Sequence, residues 1–150
     1  MKRISQYSIQ LVKEKGGLYD LENKRVHSPE QGVEAVREIL KLHLEPQEHF
    51  VVFTLTVKNE IIGVHPLFKG SLNATIVDPK NVLQVALLTN AASIVCFHNH
   101  PSGDPSPSRE DIAITERLQE ACRIMGVGLL DHIVIGDPCF ISLKEKGYVY

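Results

Sequence analysis

The sequence of 150 residues predicts an α/β fold, in which a mixed β-sheet is flanked by helices. Apolar runs rich in β-branched residues, which are typical of strands, occur at residues 50–57, 91–97 and 133–135. Segments with the apolar spacing of helices alternate with these runs, and each begins at a residue type that caps helices, namely Ser28, Asp78 and Ser108. Helices that alternate with strands indicate a single sheet covered by helices on its faces.

The composition and charge exclude several classes of protein. Hydrophobic residues make up 43% of the chain and charged residues 23%, which is ordinary for a globular domain with a sizeable core. The net charge of -2 provides no basic field that would attract nucleic acid. There is no signal peptide and no apolar run of about 18 residues, so we expect a cytoplasmic protein outside the membrane. Cys96, Cys122 and Cys139 form no CxxC pair and are interpreted as buried thiols in a reducing compartment.

The chain begins with residues 1–27, which are interpreted as an extension of a domain formed by residues 28–150. The alternation of residues 7–12 predicts a short strand inside the extension. Ser28 is followed by a proline and an acid, and this order predicts the start of the first helix. The apolar stripe of that helix continues to Leu44, shortly before a proline that ends it.

A β-hairpin and a crossover unit are predicted in the middle of the chain. Residues 50–57 form the first strand of the hairpin and residues 61–64 the second. Residues 73–77 predict another short strand, and Asp78 followed by proline predicts the start of a second helix. Since a strand, a helix and a strand follow one another, residues 75–97 are interpreted as a right-handed parallel unit.

The side chains best suited to metal binding or catalysis are concentrated between Phe97 and Asp111. A buried strand is predicted to end near Phe97, and a helix is predicted to begin at Ser108. The intervening segment contains residues that prevent both helix and ladder: Pro101, Gly103, Pro105 and Pro107. It is therefore interpreted as an ordered, irregular loop at the carboxyl end of a strand, where α/β sheets usually bind their ligands.

His98 and His100 are candidate metal ligands. In an extended chain, side chains at positions i and i+2 point to the same side, so both imidazoles can face one ion while Asn99 faces away. A metal site with an open position for water needs a third protein ligand, and Asp111 in the first turn of the next helix is the best candidate. The pattern from Ser108 to Asp111 is also a variant of the capping box, and one serine can serve both purposes.

The last third of the chain predicts a helix at residues 108–125 and a buried strand at residues 133–135. Residues 140–143 and 148–150 predict a final strand or sheet edge. Asp131 and His132 precede the buried strand and allow two interpretations. They can orient a metal ligand by a hydrogen bond on the side of that ligand away from the metal. Alternatively, they can satisfy backbone groups of a loop, and this second interpretation is favoured.

The string His-x-His-x7-Ser-x2-Asp, formed by His98, His100, Ser108 and Asp111, resembles the signature of the JAMM (JAB/MPN) zinc metalloproteases. The chain is most similar to the bacterial RadC branch of that family, whose members have long been labelled as DNA-repair proteins. Further similarity is carried by Glu48, Phe50, Gly70-Ser71-Leu72, Thr115, residues 131–136, Ser142 and Gly147. The resemblance covers roughly residues 28–150 and implies a cytidine-deaminase-like α-β-α arrangement.

The resemblance implies a zinc-dependent hydrolase that cleaves a peptide or isopeptide amide bond of a substrate protein. It implies that His98, His100 and Asp111 hold Zn²⁺ and leave a fourth position for water. Glu48, at the start of the predicted hairpin, takes the position of the catalytic base in this family. Ser108 takes the position of the residue that donates a hydrogen bond to the oxyanion.

The residues alone leave the identity of the catalytic base open. A zinc hydrolase needs a carboxylate that is not a metal ligand, but an acid before a strand is more often only a solvent-facing group. Glu45 and Glu60 compete with Glu48 for this role. Glu45 lies in the turn that ends a helix and Glu60 at the tip of the hairpin, so both are expected to be more exposed.

An alternative function follows from the same resemblance. In it, the chain acts in DNA repair or on mobile DNA through partners, and its metal site is structural or vestigial. Full-length RadC-like proteins carry a helical, DNA-binding-like segment ahead of the JAB domain, and residues 1–27 are too few to form it, so direct binding of nucleic acid is not expected. The complete set of ligands, base and oxyanion donor favours the hydrolase, since a scaffold needs no such set.

Overall fold

The computed structural model describes residues 1–71 and 77–150 and confirms the predicted α/β class. The α-helices in these residues are α1 (Pro29–Leu40), α2 (Pro79–Leu88) and α3 (Arg109–Met125). The strands in the same residues are β1 (His49–Leu55), β2 (Ile61–Lys69), β3 (Ser93–Asn99), β4 (Gly128–Ile135) and β5 (Phe140–Ser142). A short 3₁₀ helix, Leu42–Leu44, lies between α1 and β1. None of the helices described is both long and apolar enough to cross a bilayer.

One five-stranded sheet with the strand order β2-β1-β3-β4-β5 organises the chain. β1 is antiparallel to β2 and to β3, β3 is parallel to β4, and β4 is antiparallel to β5. The sheet is therefore mixed, as predicted. All seven residues of β3 are buried, which is the pattern of a central strand that is covered on both faces.

Helices cover both faces of the sheet and form two hydrophobic cores with it. On one face, Val33 and Val36 of α1 belong to a cluster with Phe97 of β3. On the other face, Val82 of α2 and Leu118 of α3 belong to a cluster with residues of β1 and β3. Because successive side chains of a strand point to opposite faces, β3 contributes to both cores and is held between them.

The predicted helix starts are confirmed by their hydrogen bonds. Ser28, Asp78 and Ser108 are the N-caps of α1, α2 and α3, and each side chain accepts a hydrogen bond from a backbone N–H of the first turn. In α1 and α2 a proline follows the cap, at a position where the helix needs no N–H donor. The predicted end of α3 is confirmed as well, because Gly126 closes it in a left-handed conformation with a φ of 70°.

Two predictions for the first third of the chain are wrong. The left-handed conformation of Lys41, with a φ of 52°, ends α1 before Leu44, and that leucine is 66% exposed. Residues 7–12 form no strand, and their apolar side chains are exposed. A strand needs a hydrogen-bonded neighbour along its length, whereas the segment before α1 joins the hairpin through a bridge at Arg25.

Other predictions are extended or corrected. The β-hairpin is confirmed, but β2 has nine residues, more than twice the predicted length. Cys139 is exposed in the turn between β4 and β5 rather than buried, whereas Cys96 and Cys122 are buried as predicted. The strand predicted at residues 73–77, and the parallel unit that starts from it, include residues outside the described ranges. In the described residues, the parallel pair is β3 and β4, which α3 connects.

The end of β4 and the loop after it support the loop after β3, which carries the candidate ligand His100. The backbone N–H of His100 donates to the carbonyl oxygen of Ile135 (2.8 Å). The backbone N–H of Asp137 donates to the carbonyl oxygen of Gly103 (3.1 Å). Gly136 lies so close to this loop that a Cβ atom there would overlap the Gly103 oxygen. The two loops therefore behave as one layer beside the carboxyl ends of β3 and β4.

Candidate metal centre

His98, His100 and Asp111 converge at the carboxyl end of β3, as the sequence predicts. His98 lies in β3, His100 directly follows the strand, and Asp111 lies in the first turn of α3. The Nε2 atoms of the two histidines are 3.0 Å apart. His98 Nε2 is 3.1 Å from Asp111 Oδ1, and His100 Nε2 is 3.2 Å from Asp111 Oδ2. Among the described residues, this is the one group of His, Cys, Asp or Glu side chains that can hold a metal ion.

The separations in this group fit a tetrahedral ion. Ligand atoms about 2.0 Å from a tetrahedral metal ion lie about 3.3 Å from one another. The three pairs of donor atoms are 3.0, 3.1 and 3.2 Å apart, close to that value. The side chains of His98 and Asp111 are 1% and 7% exposed, and that of His100 is 15% exposed, so solvent reaches the group at His100. The residues present therefore fit a metal ion.

The orientation of His100 is set by a backbone group. Its Nδ1–H donates to the carbonyl oxygen of Asp104 (2.9 Å). Since a carbonyl oxygen only accepts, this bond puts the proton on Nδ1 and directs Nε2 toward Asp111. The hydrogen bond with Asp111 raises the pKa of His100 above its ordinary value, and burial partly opposes this effect.

Asp111 belongs to the capping box of α3 as well as to the candidate metal centre. The backbone N–H of Ser108 donates to Asp111 Oδ2 (2.7 Å), and the Ser108 hydroxyl accepts from the backbone N–H of Asp111 (3.1 Å). Burial would raise the pKa of Asp111, but the contacts of its carboxylate with His100 and His98 outweigh burial and lower the pKa below its ordinary value. The side chain is therefore a carboxylate, the form that binds cations.

Ser108 lies at the rim of the centre. The residue is exposed, and its contacts with Asp111 hold it beside the candidate ligands. Because its hydroxyl oxygen accepts a hydrogen bond from the helix, the hydroxyl proton is available to donate outward. This is the arrangement that an oxyanion donor needs, and the role itself stays a prediction.

Behind the centre, His98 contacts a second buried histidine. His98 Nδ1 is 2.8 Å from His132 Nε2, and His132 Nδ1 is 2.6 Å from the hydroxyl oxygen of Thr115. His132 is fully buried, and burial lowers the pKa of its imidazole well below the ordinary value. The ring of Phe50 flanks both imidazoles, with ring centroids 6.5 Å from His98 and 5.4 Å from His132. The uncharged His132 is therefore held tightly against a candidate ligand.

Glu48, the predicted base, directly precedes β1, which is the neighbour of β3. The antiparallel register of β1 and β3 pairs Phe50 with His98, and Glu48 lies two residues beyond this last pair, on the side of His100. The charge of Glu48 contributes to raising the pKa of His100, as expected for a carboxylate close to an imidazole. The carbonyl oxygen of Glu48 accepts a hydrogen bond from Gly70 (2.8 Å), which ties this position to the end of β2.

The two competing acids have partners elsewhere. Glu45 Oε2 is 3.3 Å from Nε2 of His49, and the Glu45 side chain is 39% exposed. Glu60 pairs with Arg25 at 3.2 Å and is 41% exposed. It lies next to the end of β2 that pairs with Leu55, at the opposite end of β1 from the candidate metal centre. The geometry favours Glu48, which stays the predicted base.

The sequence model of the RadC-like JAB domain matches residues 26–148 of the chain. The chain belongs to the RadC-like JAB domain family. A UPF0758 protein from Geobacillus sp. (strain WCH70) is 55% identical over 124 residues, which are 83% of this chain and 54% of that protein. The UPF0758 protein YsxA from Bacillus subtilis (strain 168) is 52% identical over 124 residues, which are 83% of this chain and 53% of that protein. The chain thus spans about half the length of the curated relatives it matches, and their names state no activity.

Asn99 has a role in this RadC-like JAB domain that the sequence interpretation missed. Its side chain points away from the metal centre, as expected, but it clamps the segment before β1. The amide group donates to the carbonyl oxygens of Glu45 (3.2 Å) and Gln47 (3.0 Å), and its oxygen accepts from the backbone N–H of His49 (2.8 Å). These bonds bracket Glu48. The sequence did contain a signal for this role: the polar amide of Asn99 follows directly on a buried apolar strand, and a buried amide needs hydrogen-bond partners.

Asp131 and His132 have different roles: Asp131 bonds to backbone groups, whereas His132 contacts a candidate metal ligand. Both lie inside β4 rather than before it. Asp131 accepts hydrogen bonds from the backbone N–H groups of His132 (2.7 Å) and Lys144 (3.0 Å) and from the Ser142 hydroxyl (2.5 Å). It therefore satisfies backbone groups, as the favoured interpretation expected, although burial raises its pKa. His132, by contrast, contacts the candidate ligand His98.

Proposed function

We propose that this RadC-like JAB domain is a zinc-dependent hydrolase of peptide or isopeptide amide bonds in a substrate protein. The observation that carries the proposal is the group of donor atoms of His98, His100 and Asp111, separated by 3.0–3.2 Å. Two imidazoles and one carboxylate are a donor set that zinc favours in catalytic sites with an open position. Glu48, whose charge acts on His100, adds a carboxylate that is not one of the three metal ligands.

The chemistry divides between the ion and two side chains of this chain. Zinc, when bound, supplies a Lewis acid that activates water and polarises a carbonyl group. The Glu48 carboxylate accepts the proton of the attacking water and delivers it to the nitrogen of the leaving amine. The Ser108 hydroxyl donates a hydrogen bond to the substrate carbonyl oxygen as that atom gains negative charge. Asn99 holds the backbone around Glu48 and so keeps the carboxylate within reach.

Metal analysis of protein purified without chelator tests the first part of the proposal. The expected result is about one zinc per chain, with loss of the metal in a His98→Ala variant. If the unmodified protein holds no metal even after zinc is added back, the hydrolase proposal fails. Action through partners, with a vestigial site, then becomes the better description, and capture of partners becomes the next experiment.

Turnover of a panel of peptide and isopeptide substrates tests the second part. We expect Glu48→Gln to keep zinc and to lose about a hundredfold or more in turnover, because the amide cannot accept the proton. Glu60→Gln is a matched control that removes an acid on the opposite side of the hairpin and is expected to keep full turnover. Loss of zinc in Glu48→Gln, or unchanged turnover, contradicts the assignment of Glu48 as base.

A further inference from the structure

A chain of short hydrogen bonds leads from the candidate ligand His98 into the protein interior. Nδ1 of His98 is 2.8 Å from Nε2 of His132, and Nδ1 of His132 is 2.6 Å from the hydroxyl oxygen of Thr115. That oxygen is in turn 2.7 Å from the carbonyl oxygen of Asp111. All three side chains in this chain of bonds are at most 1% exposed.

The direction of each bond follows from the chemistry of the groups. The carbonyl oxygen of Asp111 can only accept, so its contact with Thr115 is a hydrogen bond only if the hydroxyl donates to it. A hydroxyl has one proton, so the contact with His132 requires Nδ1–H of that histidine to donate to the threonine oxygen. A neutral imidazole has one ring proton, so with that proton on Nδ1 the Nε2 of the fully buried His132 carries a lone pair and accepts the Nδ1–H of His98.

We propose that Thr115 and His132 form a buried relay that holds His98 in the tautomer with the proton on Nδ1 and the lone pair on Nε2. This inference rests on the proposed metal site, because Nε2 is the atom that faces His100 and Asp111. The opposite direction of the bonds would put a proton on His132 Nε2 and leave His98 Nδ1 as acceptor. A neutral His98 would then carry its proton on Nε2, where the metal has to bind.

The relay also connects two ligands that come from different elements. Thr115 donates to the backbone of Asp111 in α3, while His132 of β4 supports His98 of β3. A shift of α3 would therefore disturb His98 as well as Asp111. His132 and Thr115 are positioning residues, since neither contacts the position of the ion.

Nuclear magnetic resonance of protein labelled with ¹⁵N in its histidines tests the direction of the bonds directly. In zinc-loaded protein and in metal-free protein, we expect the two nitrogens of His132 to show a protonated Nδ1 and an unprotonated Nε2. In the zinc-loaded protein, we expect His98 to show a protonated Nδ1. A protonated Nε2 on His132 in either form overturns the inference.

Zinc affinity, measured by competition with a chromophoric chelator, tests the function of the relay. His132→Phe keeps a ring beside Phe50 but removes the acceptor, and we expect affinity to fall by about 10- to 100-fold. Thr115→Val removes the hydroxyl and is expected to lower affinity by about tenfold, whereas Thr115→Ser keeps the hydroxyl and the affinity. Ile114→Val is the matched control, because it shortens a buried neighbour on α3 outside the relay and should leave zinc affinity unchanged.

The outcomes separate this inference from the proposed function. Wild-type affinity in folded His132→Phe or Thr115→Val overturns the inference while the metal site stands. If His132→Phe does not fold, as judged by circular dichroism, the comparison of Thr115→Val with Thr115→Ser decides the question. If the unmodified protein takes up no zinc, the proposed function fails, and the protonation of His132 in metal-free protein still decides the direction of the relay.

Discussion

At the scale of single residues, the candidate centre is built from side chains that serve structure and site together. The Asp111 carboxylate completes the capping box of α3 through the Ser108 N–H (2.7 Å) and also faces both histidines. His100 is oriented by the carbonyl oxygen of Asp104 (2.9 Å). Because the hydrogen bond between the two side chains lowers the pKa of Asp111 and raises that of His100, the metal-free pair favours a protonated His100 beside an ionised Asp111.

Zinc affinity is expected to fall as the pH is lowered through the raised pKa of His100. Zinc binds the neutral imidazole, so a proton on His100 competes with zinc for the ring. Because the hydrogen bond with Asp111 raises the pKa of His100 in metal-free protein, this competition begins at a higher pH than for an ordinary histidine. Each proton displaced lowers affinity about tenfold per pH unit below that pKa. Competition titrations between about pH 8 and about pH 5.5 measure the profile.

The contribution of His100 to the stability of the metal-free protein has the opposite dependence on pH. A pKa raised by folding contributes stability that is present below the unfolded value and is lost as the pH rises through the folded value.

His65→Gln is the control for the zinc titrations and is expected to leave the pH profile of zinc affinity unchanged. This half-buried histidine pairs with Thr54 in the hairpin rather than with the candidate metal centre. Zinc affinity that stays constant over the whole pH range would exclude His100 as a ligand.

At the scale of elements, the site depends on two loops that hold each other at one edge of the sheet. The loop after β3 carries His100, whose backbone N–H donates to the carbonyl oxygen of Ile135 at the end of β4 (2.8 Å). In the loop after β4, the backbone N–H of Asp137 donates to the carbonyl oxygen of Gly103 (3.1 Å). Arg37 of α1 donates to the carbonyl oxygen of Pro138 (2.9 Å) and anchors the second loop to the helix. The position of His100 is therefore set by α1 and β4 as well as by its own strand.

Gly136→Ala is expected to weaken zinc binding together with stability. The added Cβ would overlap the Gly103 oxygen and lie 2.9 Å from Pro105 Cδ and 3.0 Å from the Cys139 carbonyl oxygen, so backbone has to move. Overpacking of this kind costs about 1–3 kcal/mol of unfolding free energy. Thermal unfolding and zinc titration measure the two effects.

Gly147→Ala is the matched control for this loop prediction. Gly147 has a φ of 87°, and a Cβ atom there meets open space. The substitution is expected to cost about 1 kcal/mol through backbone strain and to leave zinc affinity as it was. A Gly136→Ala protein with wild-type zinc affinity would show that the loop after β4 does not position His100.

At the scale of the whole molecule, the candidate centre joins elements that the two cores hold separately. β3 lies between the cores and supplies His98, while α3 packs on one face and supplies Asp111. An ion bound between them adds a connection that the unfolded chain lacks. Metal binding and folding are therefore expected to be coupled.

Zinc is expected to raise the melting temperature of the protein. At a free concentration about 100 times the dissociation constant, binding to the native state adds about 2.7 kcal/mol. For a domain of this size, each kcal/mol corresponds to a shift of roughly 2–4 °C. Differential scanning calorimetry with and without zinc measures the shift. An equal shift in His98→Ala would mean that the stabilising ion binds elsewhere.

The sequence determined the features that depend on neighbours within a few residues. The capped starts of the helices, the β-branched strands and the spacing of His98 and His100 are local patterns with local physical causes. Asp111 was within reach of the same reasoning because it lies in the first turn of a helix whose cap the sequence identifies. The length of β2 and the end of α1 were not, since the first depends on pairing with β1 and the second on a left-handed residue.

Only the tertiary structure decided which distant residues support the centre. His132 meets His98 across 34 positions of the chain, and Asn99 reaches the carbonyl oxygen of Glu45 across 54. Glu48 comes close to His100 just beyond the end of the antiparallel pairing of β1 with β3. Strand register is set by the packing of both faces of the sheet at once, and a shift of one residue would turn every side chain to the other face. No local pattern contains that information, so the partners of the metal ligands emerge only when the sheet is assembled.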